Sequence, residues 1–427
     1  MRKQGSKLYT TSLIALSLAA LIENLAFAMP LPYFPNYALS LGAPLAYIGF
    51  FTSAFMVSGA LLSQKFGSLS DKHGRKRFII VGLFVDVILG SLTGIIQDWR
   101  TLLIIRTLNG AATAMVSVPS EALLVDQVPV EKRGEAIGFH LTFGMIGRFL
   151  GPVFGGSVQF IAENWLGLSL LDSYRIPFFV DSSLALLAII PIMWKVKETR
   201  GKDSKISAVS EDYIDLGEET SFMLKILYVV ALVNGFGVGF IVPIGVLYFG
   251  DVFQATPFLI GLLFSLSGFV GLSCNYFAGK LADRVGRKPI IAFGSGSARL
   301  ASIALPFASS IFQATVIMFF RSFGFSIAMP ATKALRADLV PSKVRGKLFG
   351  RYNAFFQTGM IIGPILSTWI YDMYRAEVFK ISLLGDFNFT GAGLPFIISG
   401  ILGLLALGLL LVFVKEPARK IHNRRDS

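Results

Sequence analysis

The sequence predicts an all-α membrane protein with twelve transmembrane helices in two pseudo-symmetric six-helix bundles. An apolar composition, a series of apolar runs of spanning length and a motif written twice carry that prediction. Hydrophobic residues make up 54% of the 427 and charged residues only 15%, with a mean hydropathy of +0.66. A soluble chain carries roughly a quarter charged residues. The runs lie near 9–35, 43–69, 78–97, 100–124, 135–162 and 174–195, then near 222–249, 255–281, 289–309, 311–335, 347–371 and 390–414. Each reaches the roughly 20 residues that cross the hydrocarbon core, and a helix satisfies its own backbone there. The first run, behind Arg2, Lys3 and Lys7 and ending near Ala26-Phe27-Ala28, imitates a secretory signal. Its length exceeds the roughly 7–15 residues of a signal's apolar region, and the repeat gives it a partner at 222–249, so it is read as the first span.

The repeat is Gly67-Ser-Leu-Ser-Asp71-Lys-His-Gly74-Arg75-Lys76 against Gly279-Lys-Leu-Ala-Asp283-Arg-Val-Gly286-Arg287-Lys288, 212 residues on. The same offset relates Gly82 to Gly294 and Asp126-x-Val-Pro129-x-x-x-Arg133-Gly134 to Asp338-x-Val-Pro341-x-x-x-Arg345-Gly346. It also relates Gly138 to Gly350, and Gly147-x-x-x-Gly151-Pro152 to Gly359-x-x-x-Gly363-Pro364. One register over this length marks a duplicated unit. The expected organisation is an N-terminal bundle over 1–195, a cytoplasmic linker over 196–221, a C-terminal bundle over 222–415 and a cytoplasmic tail over 416–427. The linker mixes Glu198, Glu211, Asp212, Asp215, Glu218 and Glu219 with lysines and reads as a flexible tether.

The net charge of +13 follows the topology. Alternate loops carry Lys72, Arg75, Lys76, Arg77; Lys132, Arg133; Lys195, Lys197; Arg284, Arg287, Lys288; Lys343, Arg345; and Lys415, Arg419, Lys420. The opposite loops show little beyond Arg100, Arg175, Arg375 and Lys380. The positive-inside rule puts both termini in the cytoplasm, with the cell membrane as the expected location. Cations placed by topology leave no basic face for nucleic acid, so lipid is the expected macromolecular contact. One cysteine, Cys274, and three scattered histidines, His73, His140 and His422, exclude an internal disulfide and offer no metal cluster or cofactor site. No G-x-x-x-x-G-K-[ST] stretch occurs for a nucleotide, and nothing resembles an enzyme's cluster of His, Cys or carboxylates.

Gly67 and Gly279 fall where a missing side chain lets helices approach. Gly74 and Gly286 permit the turn back. Asp71 and Asp283 stand among Arg75, Lys76, Arg287 and Lys288, close enough to pair. Such a cluster can form in one arrangement of the bundles and separate in another, which makes it a candidate gate, with Glu121 as a further candidate; the alternative is simple anchoring of topology.

Over essentially its whole length the chain resembles the major facilitator superfamily, through both loop motifs, both Asp-x-Val-Pro-x-x-x-Arg-Gly stretches and the twelve-span count. The resemblance implies two bundles rocking about a central site, a small-molecule substrate and a monomer. Arg106-Thr-Leu-Asn-Gly110 looks like the family's R-x-x-x-G element. Gly147-Arg-Phe-Leu-Gly151-Pro152-Val-Phe-Gly155-Gly156 is similar to the G-x-x-x-G-P-x-x-G-G element of drug/proton antiporters, as is Pro30-Leu-Pro32-Tyr-Phe-Pro35 to the twelve-span drug-efflux branch. The glycines around Pro152 give a smooth face on which a helix can sit and pivot, or simply pack closely. The second copy keeps Gly359, Gly363 and Pro364 but has Leu366-Ser367 in place of Gly155-Gly156.

Charge inside the spans marks the chemistry, since it is costly there without a partner. Glu23, with Asn24 beside it, lies near the middle of span one; Arg148 and Arg321 reach a similar depth, and Arg106 lies somewhat nearer the outside. The family's architecture would turn these to the cavity, with Asn234 and Asn275 as further polar contacts. Glu23 is the expected proton-titrating group, with a fixed ion pair or direct substrate contact as alternatives; Asp86 is a second candidate. Asp86, Asp181 and Arg299 lie on spans that the family fold makes peripheral, where pairing inside a bundle is expected. The subfamily motif favours proton-coupled export of lipophilic compounds. Three arginines against one glutamate favour an anionic or zwitterionic solute, and a channel or receptor is a remote reading.

Overall fold

A computed structural model describes residues 11–129, 132–198, 217–341, 345–381 and 387–416, with the side chains of 272–277, 279, 280, 283, 347, 381 and 387 excepted. Twelve helices of 18 residues or more occur among the described residues: α1 (Thr11–Ala28), α3 (Ile48–His73), α4 (Arg75–Thr93), α5 (Trp99–Asp126), α6 (Arg133–Asn164), α7 (Leu170–Lys195), α8 (Glu218–Phe253), α9 (Pro257–Val285), α10 (Arg287–Ala304), α11 (Ile311–Asp338), α12 (Arg345–Tyr374) and α13 (Leu394–Phe413). Each coincides with one expected span. Nine are long and apolar enough to cross a membrane by length and composition alone; α4 falls short because Lys76, Arg77 and Asp86 interrupt it.

Two departures stand out. The expected first span of 9–35 stops at Ala28, and a short helix, α2 (Phe34–Ser40), follows. Pro30, Pro32 and Pro35 lack the N–H that a continuing helix needs, and the Pro30 carbonyl instead accepts from Tyr33 N at 3.1 Å and Phe34 N at 2.8 Å. Between α12 and α13 an antiparallel hairpin pairs β1 (Val378–Ile381) with β2 (Phe387–Thr390).

Helix starts follow local chemistry. Asp98 caps α5, accepting from Arg100 N at 2.9 Å and Thr101 N at 3.0 Å. The Thr101 hydroxyl and backbone hold its carboxyl below the usual range. A depressed carboxyl stabilises the fold above its unfolded value, so this cap is intact at neutral pH and is lost as pH falls through the lowered value. Ser169 and Ser310 cap α7 and α11 in the same way. Gly74 and Gly286, at φ 105° and 115°, turn the chain between α3 and α4 and between α9 and α10 in a conformation that side chains rarely adopt. The ends of the helices at these two turns are called the basic end below, and the others the far end.

The chain folds into two compact units. The first comprises residues 1–210, 239–269 and 361–395, hence α1–α7 with the far-end portions of α8, α9 and α12 and the hairpin. The second comprises 211–238, 270–360 and 396–427.

Close helix packing in unit 1 is made by glycine. On α6, a Cβ at Gly147 or Gly151 would run into the α1 backbone at Leu21 and Leu25, and one at Gly155 into the backbone of Met29 just after it. Gly156 faces Pro257 and Phe258 at the start of α9. At the far end two contacts are copies of one another. Gly49 of α3 lies against the Pro364 carbonyl of α12, and Gly261 of α9 against the Pro152 carbonyl of α6; both partners differ by the 212-residue offset. A serine one turn on from each glycine strengthens the pairing: Ser53 Oγ donates to Ile361 O at 2.6 Å, and Ser265 Oγ accepts from Val153 N at 3.1 Å. Gly49 N further donates to Thr368 Oγ1 at 3.2 Å. In unit 2, Gly359 of α12 meets Leu232 and Phe236 of α8, and Gly235 meets Phe356. Gly363 and Pro364 are buried.

Leucine at Gly147 or Gly155 therefore forces α1 from α6. Overpacking costs ~1–3 kcal/mol, and the melting temperature of the purified protein is expected to drop by several degrees. Gly138, which has open space around it, should accept alanine with an unchanged melt.

Candidate functional site

A cavity of about 580 Å³ opens inside unit 1, lined entirely by residues between Leu16 and Ile192. Glu23 and Asn24 reach it from α1, Asp86 from α4, Arg106, Asn109 and Glu121 from α5, His140 and Arg148 from α6, and Asp181 from α7. Asp86 and Asp181 stand near the middle of their helices, Arg75–Thr93 and Leu170–Lys195, and Glu23 stands five residues before the end of Thr11–Ala28. Glu121 is exposed and nearer the basic end.

Ion pairs in contact do not fill this cavity. Among the described residues no hydrogen bond or ion pair holds Glu23, and its charged neighbours, Asp86 and Arg148, act on it through space. Arg148 lies over the Phe27 ring at 5.5 Å, while Asn24 Nδ2 donates back to Ala20 O at 2.8 Å. Arg106 is held over Phe34 at 4.7 Å and Phe55 at 5.0 Å, in the field of Asp181 and Asp86. Asp86 accepts one hydrogen bond, from Asn109 Nδ2 at 3.2 Å. A ring face compensates a guanidinium only in part, so the charges remain able to take other partners. His140 is buried with Nδ1 unpartnered among the described residues.

This geometry brings two further carboxylates to the cavity. Asp86 and Asp181, expected at the periphery, line the same cavity as Glu23, because α4 and α7 both pack beside it. Arg321 and Asn234, expected in the cavity, belong to unit 2, where Asn234 Oδ1 accepts a hydrogen bond from Arg299. The side chain of Asn275 lies outside the described residues. Within unit 1, three deep carboxylates and two arginines line this cavity. Asp181 and His140 were legible as polar residues inside apolar runs; assigning the Asp181 helix to the periphery hid the first, and His140 was set aside once no metal cluster was found.

The repeated basic-end motif builds the same cluster in both units. Arg75 binds Asp71 at 2.8 Å and also pairs with Asp126 at the end of α5. Glu198 accepts from Lys76 N at 3.1 Å and Arg77 N at 3.4 Å, and Lys76 Nζ donates to Met193 O at 2.7 Å. In unit 2, Arg287 binds Asp338 at 3.1 Å, Glu416 accepts from Arg287 N at 2.7 Å and Lys288 N at 3.2 Å, and Lys288 Nζ donates to Leu411 O at 2.6 Å. Gly67 packs against Val118 of α5 at 3.2 Å. Gly279 and the side chain of Asp283 lie outside the described residues. Asp126, Asp338, Glu198 and Glu416 were not expected as members. The two aspartates keep the 212-residue offset, but Glu198 and Glu416 stand 218 apart, as do Pro177-Phe178 and Pro395-Phe396. A second register for the last span of each half would have found them. Glu198, read as part of a tether, is instead a carboxylate at the positive end of α4.

Twelve long helices, a repeated half and a charged interior cavity define a polytopic membrane transporter, and not an enzyme. The chain belongs to the Major Facilitator Superfamily, whose model matches residues 16–224 and 227–427. It is 28% identical over 376 residues to the multi-drug resistance efflux pump PmrA of Streptococcus pneumoniae serotype 4, covering 86% of this chain and 91% of that protein. It is 25% identical over 377 residues to the multidrug resistance protein MdtG of Proteus mirabilis, covering 86% and 91%. Among solved structures, a bacterial homolog of the human lysosomal transporter Spinster, in an inward-facing and unoccupied conformation, shares the fold at a TM-score of 0.77 and 14% identity, over 94% of this chain and 96% of that one. The xylose transporter XylE of E. coli, inward open, matches at 0.68 and 18%, over 96% and 97%.

Removing either capping carboxylate, by Glu198→Ala or Glu416→Ala, leaves two N-terminal amides of α4 or α10 without their acceptor. A lost cap costs ~0.5–2 kcal/mol. Each variant is expected to melt lower than the parent, with faster amide exchange confined to the first turn of the affected helix.

Proposed function

We propose that the protein is a proton-coupled exporter of lipophilic compounds, positively charged ones in particular, working by alternating access. The surplus of acid in the unit 1 cavity carries this reading: three deep carboxylates against two arginines leave one negative charge without a fixed counter-charge. A proton or a cationic substrate can supply it, and competition between the two for one position is the logic of antiport. Glu23 is the proposed site of exchange, since no fixed contact holds it and Arg148 and Asp86 act on it in opposite senses. Asp86 and Asp181 extend the acidic surface, and the Phe27, Phe34 and Phe55 rings beside it suit an apolar body. The names of the two efflux relatives agree with this substrate class. Three carboxylates in this cavity favour a cation over the anionic alternative.

In this reading the bundles at 1–195 and 222–415, joined by 196–221, alternate about the cavity. The basic-end clusters, with Asp71, Arg75, Asp126 and their copies, act as the gate; both termini are cytoplasmic, and the protein is a plasma-membrane monomer. The glycine element of α6 supplies a face on which α1 can shift.

Flux in proteoliposomes with an imposed proton gradient tests the reading, using one lipophilic cation and a panel of organic anions. Uphill movement of the cation is expected, and movement of the anions alone overturns it. Glu23→Gln should elute as a single species yet transport at the level of empty liposomes against a gradient, with no dependence on pH; a normal pH profile in this variant removes Glu23 from the coupling role. Asp71→Asn should change double-spin-label distances across the basic end, and unchanged distances reject the gate.

A further inference from the structure

The interior charge of unit 2 is of one sign. Arg299, near the middle of α10, is only 3% exposed, and Arg321 on α11 is half-buried. Both guanidiniums lie on the same aromatic ring, Phe325, at 4.4 and 5.1 Å. Their protein acceptors are few. Arg299 Nη2 donates to Asn234 Oδ1, and Arg321 Nε donates to Ser302 Oγ at 3.1 Å. Arg299 Nε is buried without a partner among the described residues, and a guanidinium has further N–H groups to satisfy.

The sequence shows that no carboxylate can reach the pair from within this unit. In its helices Asp and Glu occur only at Glu218, Glu219, Asp283 and Asp338, all in the first or last turn at the basic end. At 1.5 Å per residue, Arg299 stands roughly 18 Å along α10 from Arg287, and Arg321 roughly 25 Å along α11 from Asp338. Two cations without an opposite charge in a low-dielectric core are costly. Glycine lets Arg299 pack this deeply: at Gly403 a Cβ would collide with the Arg299 side chain, and at Gly237 it would lie 3.9 Å from Nη1.

We propose that the core of unit 2 holds a small monovalent anion of the halide class between Arg299 and Arg321, as a resident counter-ion. Arg321, the more accessible of the two, admits the ion; Arg299 and Asn234 form the floor. The site is independent of the proton-coupled function proposed above, and it does not require the anion to be transported.

The full-length protein in lipid nanodiscs tests this with chloride as the probe, against gluconate at equal ionic strength. A saturable rise in melting temperature of roughly 2–5 °C in chloride is expected, reproduced by bromide and accompanied by broadening of the 35Cl resonance that excess bromide reverses. Asn234→Asp puts a carboxylate against Arg299, so it should abolish the chloride response while melting in gluconate no lower than the parent. Arg321→Gln should abolish the response as well. Equal melting of the parent in both salts, or a chloride response that survives in either variant, overturns the proposal.

Discussion

Close approach of one helix backbone to another is the interaction on which this structure depends. In lipid two helices gain little by hiding leucines from a solvent that is itself apolar, so association rests on packing and on polar contacts. Glycines supply both, by bringing a bare backbone against a carbonyl oxygen. Gly147, Gly151 and Gly155 do so between α6 and α1, and Gly49 and Gly261 do so at Pro364 and Pro152. The prolines belong to the same device. Gly49 and Gly261 lie against the prolines' own carbonyls, close enough for Thr368 to accept from Gly49 N and for Ser265 to accept from Val153 N. The cavity walls are positioned by this packing, since α1 carries Glu23 and α6 carries Arg148.

The two halves preserve one kind of chemistry and have diverged in another. At the basic end the duplicated arginine, aspartate and glutamate are kept residue for residue, so each unit closes its own cluster. In the interior nothing is kept. Unit 1 gathers three acids and two arginines about a cavity, whereas unit 2 places two arginines on one ring. A duplicated scaffold can tolerate this because the packing glycines, not the interior charges, set where the helices lie.

Much of this was written in the sequence. Twelve apolar runs became twelve helices, because length and hydropathy leave a membrane chain few choices. The motif pairs Arg75–Asp71 and Arg287–Asp338 follow from residues that the repeat already marked. What was not legible depends on which way a helix faces. Asp86 and Asp181 read as peripheral because their spans are, yet a side chain on an outer helix can point inward, and a run apolar on every face gives no phase to read. The break after Ala28 was visible in Pro30 and Pro32 but was overruled by the total length of the run. The β1–β2 hairpin is short, and its alternation is too brief to register.

That hairpin accounts for the shift from a 212- to a 218-residue offset. Pro152 to Pro177 spans 25 residues, whereas Pro364 to Pro395 spans 31, and the six additional residues fall where β1 and β2 pair. Both flanking helices still deliver their ends in register, with Glu416 on α10 as Glu198 is on α4. The far-end connection between α12 and α13 thus absorbs the difference in length between the two halves. Length changes there cost only loop closure, so an epitope or fluorescent label can be spliced into that turn with the basic-end clusters undisturbed.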